Sequence, residues 1–255
     1  TGSIALTNSD DRHGSTMVSN TKASVKKYGL KVMADYKCRL VENSFEGLQL
    51  NIDGQDVWTR LVGSFNAYNL LAVYAAAVEL GEDKMEVLTS LSSLSAVEGR
   101  FQHFKSNNGI IAIVDYAHTP DAFSNIFKSI FELKNKNKKI ITVFGCGGNR
   151  DSSKRKHMGK IASNYSDYIY ITNDNPRFED EDKIIDNICG GISNTEYQII
   201  KDRKKAIISA MNNENSIILI LGKGVEKYQI IKNKKINHSD IKTVKEFINE
   251  NWNSR

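Results

Sequence analysis

The chain has 255 residues, of which 40% are hydrophobic, 25% charged and 9% aromatic, enough for a sizeable core in one large domain or two modest ones, and the wrong composition for a disordered or fibrous chain. Lys and Arg number 35 against 30 Asp and Glu, a formal net charge of +5, yet the basic runs at 134–139, 154–160 and 232–235 carry no interleaved aromatics to stack nucleobases, so they read as solvated surface and no nucleic-acid partner is expected. The longest apolar runs, 110–114 and 217–221, fall far short of the roughly 20 residues of a bilayer-spanning helix, and the three scattered cysteines (Cys38, Cys146, Cys189) have neither disulfide nor metal-ligand spacing, which fits a reducing cytosol.

In chain order, residues 31–62 alternate short apolar and polar runs, with Leu48, Leu50, Ile52 and Val57 at strand spacing. Asp53-Gly54 lies between two such runs, a two-residue hairpin signal because glycine tolerates the positive φ required, and a small antiparallel sheet is expected. From Asn66 to Leu80 the spacing turns helical and rich in small residues, with Gly81 placed as a C-terminal cap. A second helix is expected over 84–94, and Gly99-Arg100 marks a boundary. Beyond it the grammar changes: continuous apolar runs at 110–114, 140–144, 168–171, 197–200 and 217–221 alternate with helical stretches at 121–133, 156–164, 180–188 and 203–212. Strict alternation of strand and helix predicts an α/β fold, a Rossmann-like, mostly parallel sheet with helices on both faces. Strands buried on both faces are apolar continuously, as these are.

In such sheets ligands bind outside the carboxyl ends of the strands. Those ends carry Asp115-Tyr116-Ala117-His118, Gly145-Cys146-Gly147-Gly148-Asn149-Arg150, Asn173-Asp174-Asn175-Pro176-Arg177 and Gly222-Lys223-Gly224-Val225-Glu226, so every unusual cluster of this half is expected on one edge. The glycines after the second strand lack the third glycine of a dinucleotide fingerprint, and Arg150-Asp151 follow where a helix should begin; a tight turn presenting Arg150 over a pocket is the better reading. Pro176, one of only two prolines, restricts its neighbours and is expected to hold Asn175 and Arg177 in a set direction. Arginine offers a rigid fork that matches a carboxylate, and two arginines converging in a cleft need an anion, whereas a lone one is often a solvated turn residue. Glu226 adds a negative charge to the same edge, which suggests a ligand carrying both a carboxylate and an ammonium; alone it would pass for a solvated first-turn glutamate. His118 suits a general base or a phosphate contact, against the plainer reading of a histidine that caps or packs where Thr119-Pro120-Asp121 starts a helix. Asp115 suits a ribose hydroxyl. Asn66 and Asn69 open the alanine-rich helix, either to read a purine edge or, for Asn66, merely to cap it.

Taken together these motifs resemble the Mur ligase family. The resemblance runs along essentially the whole chain, from Ala5-Leu6-Thr7-Asn8-Ser9-Asp10-Asp11 through Gly63-Ser64-Phe65-Asn66-Ala67-Tyr68-Asn69, Val97-Glu98-Gly99-Arg100-Phe101 and the four strand-end clusters. It implies an ATP-dependent amide-bond ligase of peptidoglycan synthesis: ATP phosphorylates a carboxylate of UDP-N-acetylmuramoyl-L-alanyl-D-glutamate, and the amine of meso-diaminopimelate attacks the acyl phosphate. It implies further that Asn66, Asn69, Arg100 and Asp115 contact the nucleotide, and that Arg150, Asp174, Asn175, Pro176, Arg177, Gly222 and Glu226 form the diaminopimelate pocket. The Asp-Asn-Pro-Arg run is the family's mark for diaminopimelate over lysine. A monomeric, cytoplasmic enzyme without membrane insertion is implied. Residues 1–98 would correspond to the back part of a central ATPase domain and 99–255 to a C-terminal amino-acid-binding domain. The family's phosphate-binding loop, magnesium ligands, modified lysine and first domain would lie upstream; no glycine-lysine-threonine loop occurs in these 255 residues, so no metal ligand is expected in this chain. Two departures stand out: Val225 replaces a usual histidine and Ile241 a usual arginine. Competing readings are a non-catalytic amino-acid or peptide-binding module and a related ligase of different specificity, such as the folylpolyglutamate type.

Overall fold

Residues 2–133 and 137–252 are described by the computed structural model, so residues 134–136 of the basic run at 134–139 lie outside the described residues. The chain divides into two compact units, Thr1–Ala96 and Val97–Arg255.

The first unit contains β1 (Ile4–Asn8), α1 (Gly14–Met17), β2 (Ser24–Gly29), β3 (Tyr36–Ser44), β4 (Gly47–Ile52), β5 (Gln55–Thr59), α2 (Phe65–Glu79) and α3 (Lys84–Ser92). The hairpin forms where Asp53-Gly54 predicts it, with φ of 48° and 89° at the two turn residues, and β3, β4 and β5 are antiparallel. The sheet is larger than the sequence suggests: β1 and β2 extend it in the order β1-β2-β3-β4-β5, and the β1–β2 and β2–β3 pairs are parallel. These strands escaped notice because a parallel pair has no turn signal and β2 carries Lys26 and Lys27 in its centre. Asp10 ties the additions together: its carboxylate accepts from the N–H groups of Leu30 (2.7 Å), Lys31 (3.0 Å) and Val32 (3.0 Å) and from the Tyr68 hydroxyl (3.0 Å). Burial works to raise its pKa, but these donors stabilise the charged form and hold it lowered. The core sets Leu48, Leu50, Ile52 and Val57 of the sheet against Leu71 and Tyr74 of α2 and Leu88 and Leu91 of α3.

The second unit is the α/β fold that the alternating runs predict. It contains β6 (Gln102–Lys105), β7 (Ile111–Asp115), α4 (Pro120–Leu133), β8 (Lys139–Phe144), α5 (Ser153–Tyr165), β9 (Tyr168–Ile171), α6 (Glu181–Cys189), β10 (Tyr197–Ile199), α7 (Arg203–Met211), β11 (Ser216–Leu221), β12 (Tyr228–Ile231), β13 (Lys234–Asn237) and α8 (Asp240–Trp252). The sheet order is β10-β9-β8-β11-β7-β6, parallel throughout except for β6, an antiparallel edge. On one face, Val114, Val143, Tyr170 and Ile220 pack on Ala206, Ile207 and Met211 of α7 and on Ile241 and Val244 of α8. On the other, Phe123 of α4 meets Phe144 edge-on at 5.1 Å, and Phe127 stacks on Tyr165 of α5 at 5.2 Å. Because both faces are covered, Ile217 to Leu221 are all fully buried. Ile241, the apolar replacement for the family's arginine, belongs to this core. β6, the β12–β13 hairpin and α8 have no counterpart in the sequence expectations; β12 is only half-buried, and β13, with two lysines and an asparagine in four residues, is exposed. No helix among the described residues is long and apolar enough to cross a membrane.

One buried ion pair joins three of these elements. Arg203 at the start of α7 donates from Nε and Nη2 to the two carboxylate oxygens of Asp240 at the start of α8, both at 2.8 Å, and from Nη2 to the Leu221 carbonyl at the end of β11 (2.9 Å). His238 Nε2 lies 2.7 Å from Asp240 Oδ1. Burial opposes the charge on Asp240, but Arg203 overrides it and holds the carboxyl well below its ordinary value of 3.8. Asp240→Ala strands the Arg203 charge in the core and is expected to cost about 3–5 kcal/mol, read by chemical denaturation. A depressed pKa also fixes the sign of the pH dependence: this contribution is full above pH 3.8 and fades as pH falls below it, so the gap between wild type and variant should narrow in acid.

Candidate functional site

Parallel strands deliver the loops after β7, β8, β9 and β11 to one edge of the second unit, where they enclose a cleft of about 330 Å³. Six of the seven residues proposed for an amino-acid pocket line it: Arg150, Asp174, Asn175, Arg177, Gly222 and Glu226, with His118 at its side. Pro176, the seventh, is buried and absent from the lining.

The glycines of the β8 loop serve close packing of loop on loop. A Cβ on Gly145 would overlap the Thr172 carbonyl, and one on Gly148 the Pro176 carbonyl. That approach lets Gly148 N–H donate to the Asn175 carbonyl (2.9 Å) and Arg177 Nη1 donate back to the Gly148 carbonyl (2.9 Å). Arg177 itself has φ of +55°, a left-handed conformation that costs an L-residue roughly 1–2 kcal/mol. Pro176 alone does not hold it there. The β12 strand does: Arg177 N–H donates to the Ile230 carbonyl (3.0 Å) and the Arg177 carbonyl accepts from Lys232 N–H (2.7 Å). Arg150, by contrast, is exposed at the rim, and no described residue accepts a hydrogen bond from its guanidinium.

The acidic residues of the same lining are organised by a side chain that the sequence did not single out. Lys223 is fully buried. Its Nζ lies 2.7 Å from Glu226 Oε2, 3.0 Å from Asn175 Oδ1 and 3.9 Å from Asp174 Oδ1. Asn175 Nδ2 donates to the same Glu226 oxygen at 3.0 Å, and Ile230 N–H donates to Asn175 Oδ1 at 2.9 Å. Glu226 is therefore not a solvated first-turn glutamate: its Oε2 pairs with the buried Lys223. A lysine held between two glycines of one motif was the signal available in the sequence. Gly222, at φ +115°, passes over Asp174 where a side chain would strike its carboxylate. The lining thus brings two guanidinium groups and two carboxylates to one cleft, charges of both signs such as a zwitterion carries.

The residues matched to nucleotide contacts divide between the units. Asp115 is buried; its two oxygens accept from Phe101 N–H and Ala117 N–H, each at 2.6 Å, and its carbonyl accepts from Gly222 N–H at 3.0 Å. Burial raises its pKa against the pull of those two amides. Asp115 thus organises three loops and is far less open than a residue at a strand tip suggests. Arg100 lies 4.8 Å over the Tyr116 ring, which in turn meets the His118 ring edge-on at 4.7 Å. His118 Nδ1 donates to the Tyr116 carbonyl (2.9 Å). In the first unit Asn66 lies inside α2, whose N-cap is Ser64, and is not the cap. Its amide donates to the Val62 carbonyl (2.8 Å) and its oxygen accepts from Asn69 (3.1 Å). Cys146, in the cleft wall, has its thiol pushed up to about 12 by burial, which removes it as a nucleophile at neutral pH. Among the described residues no three His, Cys, Asp or Glu side chains gather as a metal-binding group. Val225, the other departure, is exposed.

Comparison with known proteins gives this arrangement its relatives. Residues 99–224 match the family described as Mur ligase, glutamate ligase domain. The chain is 47% identical over 251 residues to a UDP-N-acetylmuramoyl-L-alanyl-D-glutamate--2,6-diaminopimelate ligase of Cytophaga hutchinsonii, covering 96% of this chain and 51% of that protein. It is likewise 47% identical over 250 residues to the protein of the same name from Parabacteroides distasonis, again covering 96% and 51%. Among solved structures, one titled as a UDP-N-acetylmuramoyl-L-alanyl-D-glutamate--2,6-diaminopimelate ligase superposes with a TM-score of 0.67 at 31% identity, covering 98% of this chain and 54% of that one. The chain thus spans about half the length of the curated relatives it matches. With a matching domain over the sheet that carries the cleft and relatives aligned along nearly all of its length, this chain belongs to the Mur ligase family.

Proposed function

We propose that this chain supplies the amino-acid pocket of a cytoplasmic, ATP-dependent ligase that joins meso-diaminopimelate to UDP-N-acetylmuramoyl-L-alanyl-D-glutamate in peptidoglycan synthesis. One observation carries the reading: Arg150 and Arg177 share a cleft with Asp174 and Glu226. A zwitterionic amino-acid head fits that set of charges, with its carboxylate on the guanidinium groups and its ammonium on the two acids. Holding one end of diaminopimelate this way leaves the amine at its other end free to attack an acyl phosphate. Orienting that amine is the catalytic contribution assigned here, since a fixed geometry converts an encounter into a near-unimolecular step. His118 Nε2, beside the cleft, is placed to take the proton the amine must lose.

ATP supplies the activating phosphoryl group. Arg100, on the Tyr116 ring, offers a cation for nucleotide phosphates, and the exposed Asn69 amide offers hydrogen bonds to a base. Among the described residues no His, Cys, Asp or Glu side chains gather that could hold magnesium.

Lysine differs from diaminopimelate by lacking the distal carboxylate, so Arg177 would face nothing. A charge-assisted hydrogen bond lost there is worth about 1.5–3 kcal/mol, roughly tenfold or more in discrimination. In the full-length enzyme, ADP release should depend on diaminopimelate and drop by that factor with lysine. Arg177→Ala should raise KM for diaminopimelate and erase the preference; equal rates of the wild type with both amino acids contradict the assignment. The 255-residue chain by itself, with no Gly-x-x-Gly-Lys-Ser/Thr loop in its sequence, should show no turnover in the same assay. Measurable ADP release by it overturns this division of labour.

A further inference from the structure

A second ion pair lies behind the cleft and takes no part in its lining. Arg155, in the first turn of α5, is fully buried, and Glu179, two residues beyond Arg177, is about one-fifth exposed. The two meet as parallel forks: Arg155 Nη1 lies 2.6 Å from Glu179 Oε1 and Nη2 lies 2.8 Å from Oε2. Each partner also grips the turn that carries Arg150. Arg155 Nη2 donates to the Gly147 carbonyl at 3.2 Å, and Asn149 N–H donates to Glu179 Oε2 at 2.9 Å. One guanidinium–carboxylate pair therefore holds the β8 loop on both sides of Gly148 while anchored in the β9 loop. Phe178 N–H adds a rung to Asn149 Oδ1 at 3.0 Å.

The backbone needs such a hold. Asn149 and Arg177 sit in facing loops with φ of 52° and 55°, and non-glycine residues stay in that region only where their surroundings over-determine them. Stability alone is a poor reason for the pair. A buried ion pair replaced by apolar residues of similar volume is often neutral or even stabilising, and Arg155 carries a buried Nε–H with no acceptor. What an apolar pair cannot reproduce is the pair of hydrogen bonds to Gly147 and Asn149.

We infer that Arg155 and Glu179 are positioning residues that set Arg150 and Arg177 at the spacing a ligand carboxylate requires. The inference rests on the reading of the cleft as a diaminopimelate pocket, and its test separates the two. Arg155→Met/Glu179→Leu and, singly, Glu179→Gln are made in this chain. Three quantities are read: thermal unfolding, hydrogen exchange by peptide, and meso-diaminopimelate binding by calorimetry. The double variant should unfold within a few degrees of wild type and exchange normally in β11. It should exchange faster across 147–150 and 175–179 and bind diaminopimelate about tenfold more weakly or worse. A merely structural role moves the unfolding temperature and exchange everywhere, and that result overturns the proposal, as does a stable double variant with unchanged exchange in the two loops or unchanged affinity. If the double variant does not fold, Glu179→Gln decides by the same local exchange and affinity. If the wild type does not bind diaminopimelate, the pocket reading fails, and exchange confined to the two loops alone decides for or against the staple.

Discussion

Lys223 is an ammonium with no exposure to solvent, and a buried charge of that kind persists only when carboxylates and hydrogen bonds meet it. Glu226 and Asp174 supply the charge, and the Asn175 amide supplies the remaining acceptor. Two carboxylates facing one small cleft would otherwise repel each other. With Lys223 beneath them they remain together as one side of a pocket, and Asn175, tied both to Lys223 and to Glu226, cannot rotate away. The acidic half of the site is thus a consequence of a residue the ligand need not touch.

The basic half is built differently. Arg177 takes its direction from backbone hydrogen bonds to β12 and from its own side-chain bond to Gly148, while Arg150 rides on a turn that can come close only because Gly145 and Gly148 have no side chains. Parallel topology brings these loops to one edge, a property of the fold. The bonds between the loops turn proximity into a fixed spacing, and these belong to particular residues.

Much of this was legible beforehand. Continuous apolar runs such as 217–221 identify strands covered on both faces, and once they alternate with helices the strand-end clusters must share an edge. Arg150, Asn175, Arg177 and Glu226 follow from that step, whereas Asp174 and Gly222 were singled out only by the family resemblance. The rest depended on contacts that composition does not display. Nothing in Tyr228-Gln229-Ile230-Ile231 announces a strand that pins Arg177, so the direction of that arginine looked like the work of Pro176. Asp115 looked like a free strand-tip carboxylate because the amides of Phe101 and Ala117 meet it only after the chain has folded. Lys223 was visible within its motif, yet a lysine is ordinarily solvated, and only its complete burial distinguishes it. Ile241 stood out in the sequence only as a departure from the family pattern and is a piece of core. In the first unit the Asp53-Gly54 hairpin was plain, whereas β1 and β2 depend on a parallel pairing with no local signature.

A cleft that grips a small amino acid by charges of both signs dictates which of its groups meets which side chain. A crystal structure of this chain with meso-diaminopimelate bound tests it most directly. Difference density is expected in the cleft with a carboxylate on Arg150 and Arg177 and an ammonium on Asp174 and Glu226. Diaminopimelate lodged elsewhere, or lying in the cleft with its carboxylates turned away from both guanidinium groups, contradicts it.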